Sequence, residues 1–600
     1  MRKLFDTACC QIQKPILLIA IGLVALSLWG LQVVGSGWCN DEAAHIPAGL
    51  YHLETGRMDA YRVNPPLPRM IAAIPLLIDR PAVDWHYSES RYVRNEYQFA
   101  HQWVRDNHEN LRRYLILTRG TMAGFFVLGL WVVWKWASRL YGGRAGWVAA
   151  LLWIFNPDII ANSAVVAPDL PATASGLLAG YVFWSWLIQR KRPFPWSVAA
   201  AVAFAVLCKF SWLFLLVGLP LVTLVHDALC KRKSSDEGPR WLGGGSIARR
   251  VAVAVIDSLR LFLSFSLTVL LINWCYGFDG SGTRLGNFEF ISESLGGPDI
   301  ASGQTANRFA DGSFSWVPVP LPAEMIHGLD YLKWEFEQGM PCYLRGKWQH
   351  GGWWYFYLYA MAVKMPLGYW LLITAGLGSL VLDWLRSGKR FSLEWLPILI
   401  AIVFVVLVSS QTGFTHHVRY VLPAYGFLFI VASRMAVILP GRFAIGLAAV
   451  CLSGTLWFHA THLGLAHTFF NPLAGGPNNG WRHLSYSNVD WGQSTYRMVD
   501  WVKKHPEQRP ITVLFRSSQG SPEKLLADET EVFTSVDWEH RPEQTAATPQ
   551  RSSWYLISSY QMTFEKNYYF WDKTPVEQPE PAILLFYAEM EQRKPLEARQ

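Results

Sequence analysis

Charge is scarce in this chain. Only 16% of its 600 residues are Asp, Glu, Lys or Arg, while 51% are hydrophobic. That balance excludes a chain soluble throughout and points to a polytopic membrane protein with soluble parts. The eight cysteines, at 9, 10, 39, 208, 230, 275, 342 and 451, have no metal-ligand spacing. Cys39, Cys275 and Cys342 share one side in the topology below, where a disulfide can form, although free buried thiols are the expectation. Cys9-Cys10 precede the first span, a setting that allows acylation. Phosphate-cradling glycine loop, serine elbow and zinc motif are all missing. No internal repeat is visible, which counts against a transporter built from inverted halves.

What is present is a series of long apolar runs. They fall at roughly 15–35, 115–137, 145–160, 170–188, 196–208, 210–226, 252–275, 366–385, 394–410, 420–438 and 443–462. Eleven crossings are expected, with Lys209 dividing the 196–226 stretch into two short spans or a re-entrant pair. The N-terminal run lacks a cleavage site and reads as a retained signal-anchor. Thirty tryptophans suit interfacial belts. With the N-terminus inside, the internal connections are Ser138–Arg144, Arg190-Lys191-Arg192, Lys231–Arg250, Arg386–Arg390 and the turn at Arg442. These are short and basic, as the positive-inside rule requires. The net charge of +8 is therefore a topology signal, and no nucleic-acid partner is expected. The other side receives the 36–114 loop, the 156–169 link, the 276–365 loop and the tail. The tail alternates helical and strand-like patterns from about 471, after a turn-rich NPLAGGPNNG lead-in acting as hinge or cover. Residues 1–465 are expected to form the membrane domain and 466–600 a small external α/β domain.

The chain is organised around WCNDEAAHIPAGLYHLETGRMDAYRVNPPLPRMIAAIPLLID, residues 38–79. A helix from Asp41 brings Asp41, Glu42 and His45 into one turn, with His52 further along the same face. After Pro65-Pro66, the residues Leu67, Met70, Ile71, Ile74, Leu77 and Ile78 have helical spacing over a stretch too short to span, so an interfacial helix is expected. Asp41, Glu42, Asp169, Lys209, Lys364 and Arg419 all fall near external helix ends, forming one layer rather than a path through the membrane. Asp41 or Glu42 offers a general base for a hydroxyl, with its pKa drawn toward neutrality by partial desolvation. The competing role is a helix N-cap, and for Asp169, with Pro171 in the first turn, cap and site are equally open. Lys209 and Arg419 suit a lipid phosphate; snorkelling and anchoring are the bland alternatives. His416 and His417 add donors or ligands, and Lys364 follows an aromatic stripe that marks the interface or a sugar contact.

Asp-Glu-x-x-His with a later Pro-Pro-Leu resembles the first external loop of the protein O-mannosyltransferase and aminoarabinose-transferase group. These are C-type integral-membrane glycosyltransferases. SAVVAPDLPATASGLLAGYVFW is similar to that group's second Asp region, AVAFAVLCKFSWLFLLVGLP to its Lys-bearing helix, and RYVLPAY to a late helix start. PCYLRGKWQHGGWWYFYLYAMAVKMPLG and FNPLAGGPNNGWRHLSYSNVDWGQ are similar to segments of bacterial members. The resemblance covers about 38–500. It implies Asp41 as catalytic base, Asp169 as a second essential acid, and Lys209 and Arg419 as phosphate contacts. His45, Arg62, Asn64 and Lys364 are further candidates for binding substrate. Asn64 departs from the group, which tends to carry Lys before Pro-Pro, so Arg62 is the substitute contact. Cys208 replaces Thr, and Tyr486 stands where relatives carry Asp, while Asp490 remains.

The resemblance further implies an inverting transfer from a polyprenyl-phosphate sugar to a protein, lipid or cell-envelope glycan hydroxyl at the outer face of an inner membrane. Membrane lipids are the surrounding partner. A divalent cation can be accommodated by Asp41 and Asp169, without a dedicated metal site. A transporter and a non-catalytic scaffold are the rival readings. Neither gives Asp41, Asp169 and Lys209 a reason to gather outside.

Overall fold

A computed structural model of the chain describes residues 21–90, 92–189, 194–229, 247–298, 303–387, 392–515, 525–534, 553–564 and 568–589. The acylation site at Cys9-Cys10, the start of the signal-anchor and most of the basic loops at 190–192 and 231–250 lie outside these residues. Each of the eleven expected apolar runs is helical where described. Among the described residues, six helices are long and apolar enough to cross a membrane: Leu111–Tyr141, Phe210–Ala228, Val251–Cys275, Leu367–Arg386, Val418–Ile438 and Arg442–Thr461. Ile21–Gly35, Gly143–Phe155, Trp196–Cys208 and Leu393–Ser409 are shorter apolar helices, and Asp169–Gln189 completes the set.

Val418–Ile438 is the hub. Its apolar window is 83% buried, against 28–44% in the other five long helices, so it faces protein all round where they face lipid on one side. Leu422–Ala432 packs against Leu396–Ser409, Asp169–Gln189 and Leu367–Ser387. Close approach to Leu367–Ser387 needs Gly376, where a Cβ would lie 2.3 Å from the Val431 carbonyl oxygen.

The 36–114 segment folds as Glu42–Thr55, Leu67–Ala73, Leu76–Asp79 and Asn95–Asp106. The expected single interfacial helix is therefore two. Pro75 lacks the N–H needed to continue the first, so the chain turns at Ile74 and restarts at Leu76. The exposed apolar residues follow the turn: Ile74, Leu77 and Ile78 are open, while Leu67, Met70 and Ile71 pack against the core. The 276–365 segment carries the helix Ala323–Gln338 and a hairpin of Pro341–Leu344 with Lys347–His350.

The C-terminal sheet has five strands, in the order Val532–Thr534, Ile511–Leu514, Ser553–Ser558, Ile583–Ala588 and Glu577–Glu580. Ile511–Leu514 is parallel to both its neighbours, and the remaining pairings are antiparallel. Alternation along the strands sends Tyr555, Ile557, Leu584 and Phe586 into the main core. Leu556, Ile583 and Leu585 pack instead with Met498, Val499 and Val502 of the helix Thr495–Lys504. The 466–493 lead-in does not stand apart from the helices. Phe470, Trp481, Leu484 and Val489 belong to the main core, and Asn471 caps the helix Phe356–Lys364 by donating to the Ala362 and Met365 carbonyls.

Candidate active site

The helix Glu42–Thr55 starts one residue after Asp41, and the Asp41 side chain makes no capping hydrogen bond. Its carboxylate instead accepts from Arg419 Nη2 at 2.8 Å. Arg419 Nη1 donates to Asp169 Oδ2 at 2.9 Å, and the other Asp169 oxygen accepts from Lys209 Nζ at 2.5 Å. Four side chains from four parts of the chain thus form one line, Asp41–Arg419–Asp169–Lys209. Its middle is sealed and its ends are open: the side chains of Asp169 and Arg419 are 0% and 6% exposed, those of Asp41 and Lys209 21% and 14%.

Local structure explains each placement. Lys209 sits at a break, its backbone extended between the helix Trp196–Cys208 and the short turn Phe210–Phe214. Trp212 fixes this break by donating to the Ala172 carbonyl at 2.9 Å, lying flat where a Cβ on Gly176 would come within 1.8 Å of its ring. Asp169 opens its helix and is fully buried, so its charge depends on the two cations. Tyr420 lies beneath Lys209 at 4.6 Å. Trp491 lies against the Arg419 guanidinium at 3.9 Å from the ring centre. Arg419 Nε is buried with no hydrogen-bond partner among the described residues.

Glu42 is not part of this line. Its carboxylate is fully buried in a two-point pair with Arg119, at 2.8 Å to Nε and 2.6 Å to Nη2. It also accepts from the Cys39 and Val166 backbone N–H groups, each at 2.9 Å. With both oxygens occupied, Glu42 ties the segment before Asp41 to the link before Asp169. Arg119 completes the latch by donating to the Val33, Ser36 and Gly37 carbonyls.

His45 stacks on Tyr61, with ring centres 4.6 Å apart, and shares a hydrogen bond with its hydroxyl at 3.2 Å. Burial, then the nearby Arg69 charge, pushes its pKa well below the usual histidine range, so the ring is neutral. Arg62 turns away from the line to pair with Glu324 and Glu89, and the Asn64 carbonyl accepts from Arg69. Neither joins Lys209 and Arg419. Lys364 is also elsewhere: buried, it donates to the His467 and Asn488 carbonyls at 2.7 and 2.9 Å and faces Asp158 at 3.5 Å. His52 accepts from Arg69 Nε at 3.0 Å. His417 hydrogen-bonds Ser487 at 2.8 Å, and His416 stacks on Phe414.

Sequence reasoning missed Arg119, Asp158, Tyr420, Asn488 and Trp491. Arg119 carried a signal of its own, a cation inside an apolar helix, while Tyr420, Asn488 and Trp491 lay within the quoted segments without being singled out. Among the described residues, no three His, Cys, Asp or Glu side chains gather as a metal site. Asp41 and Asp169, the pair suggested for a divalent cation, share an arginine instead. All five described cysteines are free thiols.

Comparison with known proteins supplies the remaining context. A crystal structure of ArnT from Cupriavidus metallidurans bound to undecaprenyl phosphate is similar at 12% identity, covering 95% of this chain and 97% of that one, with a TM-score of 0.41. The Archaeoglobus fulgidus oligosaccharyltransferase in complex with Zn and sulfate is similar at 11% identity, covering 90% and 68%, with a TM-score of 0.43. No curated protein sequence matches the chain. Residues 122–248 match the family model described as dolichyl-phosphate-mannose-protein mannosyltransferase. That interval holds both Asp169 and Lys209, and across it this chain is similar to the dolichyl-phosphate-mannose-protein mannosyltransferases, as its motifs imply.

Proposed function

We propose that the protein is a membrane glycosyltransferase moving a sugar from a polyprenyl-phosphate donor to a hydroxyl of a protein, lipid or envelope glycan. The observation that carries this reading is the line Asp41–Arg419–Asp169–Lys209, with a carboxylate open at one end and a cation open at the other. The family match over 122–248 supports it. The acceptor oxygen attacks the sugar C1 while the C1–O bond to the phosphate breaks, inverting the anomeric centre. The hydroxyl proton passes to the Asp41 carboxylate, and the electron pair leaves with the polyprenyl phosphate. Lys209 and Arg419 stabilise that departing charge. The buried, unpaired Arg419 Nε–H supports a phosphate role, since such a donor is satisfied when an anion arrives. Asp169 holds the two cations side by side. The site faces the exterior of an inner membrane, a placement supported by the basic loops assigned to the inner side.

The test is sugar release from a panel of radiolabelled polyprenyl-phosphate sugars by the detergent-purified protein, beside Asp41→Asn at equal folded amounts. Turnover of a donor by the wild type and its loss in the variant is the expected result. Equal turnover removes Asp41 as the base, and no turnover of any donor removes the transferase reading.

A further inference from the structure

The segment 485–493 lies between the membrane helices and the C-terminal sheet, and it grips Arg419 twice. Asn488 Oδ1 accepts from the Val418 N–H at 2.8 Å, and its Nδ2 donates to the His416 carbonyl at 2.6 Å. These bonds fix the backbone that enters Arg419. The Trp491 ring then fixes the plane of the guanidinium at 3.9 Å. The same segment holds the chain leading to Asp41, because the Gly37 and Asn40 N–H groups donate to the Gln493 and Trp491 carbonyls at 2.8 and 2.9 Å. It is itself anchored by Lys364, which donates to the Asn488 carbonyl, and is tightened internally by Asp490, which accepts from the Gly492 N–H at 3.1 Å.

We propose that Asn488 and Trp491 are positioning residues for Arg419, so that the C-terminal portion completes the membrane-borne site. This rests on the reading of Arg419 as a donor-phosphate contact. An arginine has several rotatable bonds, and its fork recognises two acceptors only while its plane is held. Asp169 and Asp41 define where Nη1 and Nη2 point, respectively, but two carboxylates alone let the plane rock about the line between them. The indole face removes that freedom and excludes water from one side of the charge. Asn488 removes the backbone freedom. Both residues touch Arg419 or its neighbours rather than the reacting atoms, so their effect on transfer runs through Arg419.

The experiment is a double-mutant cycle on the full chain, using a polyprenyl-phosphate sugar that the wild type turns over and the affinity for undecaprenyl phosphate as a second readout. Trp491→Ala is expected to lower kcat/KM and phosphate-lipid affinity about tenfold, between the values of an exposed and a fully desolvated cation–ring contact. Trp491→Phe, which keeps an aromatic face, is expected to stay within about threefold of the wild type. In an Arg419→Ala background the Trp491→Ala penalty should disappear, because the residue it acts through is gone. A penalty of equal size in both backgrounds, or none in the wild-type background, overturns the proposal while leaving the transferase reading intact. A wild type that neither turns over a donor nor binds undecaprenyl phosphate overturns both. Should Trp491→Ala fail to fold, Trp491→Leu, which fills the space without a ring face, carries the same expectations.

Discussion

Asp41 and Glu42 are adjacent in the chain, yet the fold uses them in opposite ways. Glu42 is fully buried, and each of its oxygens accepts from Arg119 and from a backbone N–H. Asp41 has one charged partner and a side chain open enough to meet water. A carboxylate with every acceptor position taken cannot receive a proton without breaking what surrounds it. One with spare capacity beside a cation can. The two lysines divide in the same way: Lys209 faces one carboxylate with its tip partly open, whereas Lys364 is enclosed by two carbonyls and Asp158.

The contrast can be broken most sharply at the acids. Asp41→Asn is expected to lower the transfer rate about 100- to 10,000-fold, while the melting temperature of the purified protein barely moves. Glu42→Gln should do the reverse. It leaves Arg119 buried against a neutral partner and is expected to remove about 3–5 kcal/mol of stability, read from thermal or denaturant unfolding in detergent. An Asp41→Asn protein that melts early, or a Glu42→Gln protein that is stable but inactive, would show the division to be misdrawn.

The lysines sharpen it at smaller scale. Lys209→Met should raise the donor KM about tenfold through loss of one charge-assisted contact, together with a fall in stability, since the buried Asp169 then keeps only Arg419. Lys364→Met should cost about 1–3 kcal/mol of stability, since two carbonyls lose their donor, with a smaller rise in donor KM than Lys209→Met gives, because its hold on Asn488 reaches Arg419 only through the backbone. A pH-dependent effect concerns Asp490. Burial pushes its carboxyl from the ordinary 3.8 up to about 6. The folded state therefore holds this proton more tightly than the unfolded chain. The stability it adds is complete below about pH 4 and is lost as pH rises through about 6. Melting curves at pH 4.5 and 7.5 should show Asp490→Asn shrinking the wild-type difference by about 2 kcal/mol.

The helices were readable because apolar runs announce themselves by length, and even the break at Lys209 was marked by its charge. Asp41, Asp169, Lys209 and Arg419 were readable as candidates because each is an ionisable group at a helix end, where a cost demands a reason. Their pairing was not, because Arg419 meets Asp169 across 250 residues and Asp41 across 378. The roles of Glu42 and Lys364 were hidden for a related cause. Their composition and position match those of the open residues, and only the number of partners separates the two kinds. Pro75 shows a local signal underweighted: the apolar spacing runs on through it, but the missing N–H ends the helix. Trp491 lay inside the FNPLAGGPNNGWRHLSYSNVDWGQ segment, but nothing local indicated that its ring, one of thirty tryptophans, would meet Arg419.

The line of four side chains holds two positive and two negative groups, each opposite charge in contact with the next. At distances beyond about 8–10 Å such an arrangement cancels, leaving almost no field to draw an anion from afar. A phosphate lipid would then not be steered to this site. It would arrive by sliding within the leaflet and be recognised only on contact, so its capture would follow the lipid's surface density rather than the salt content of the surrounding water.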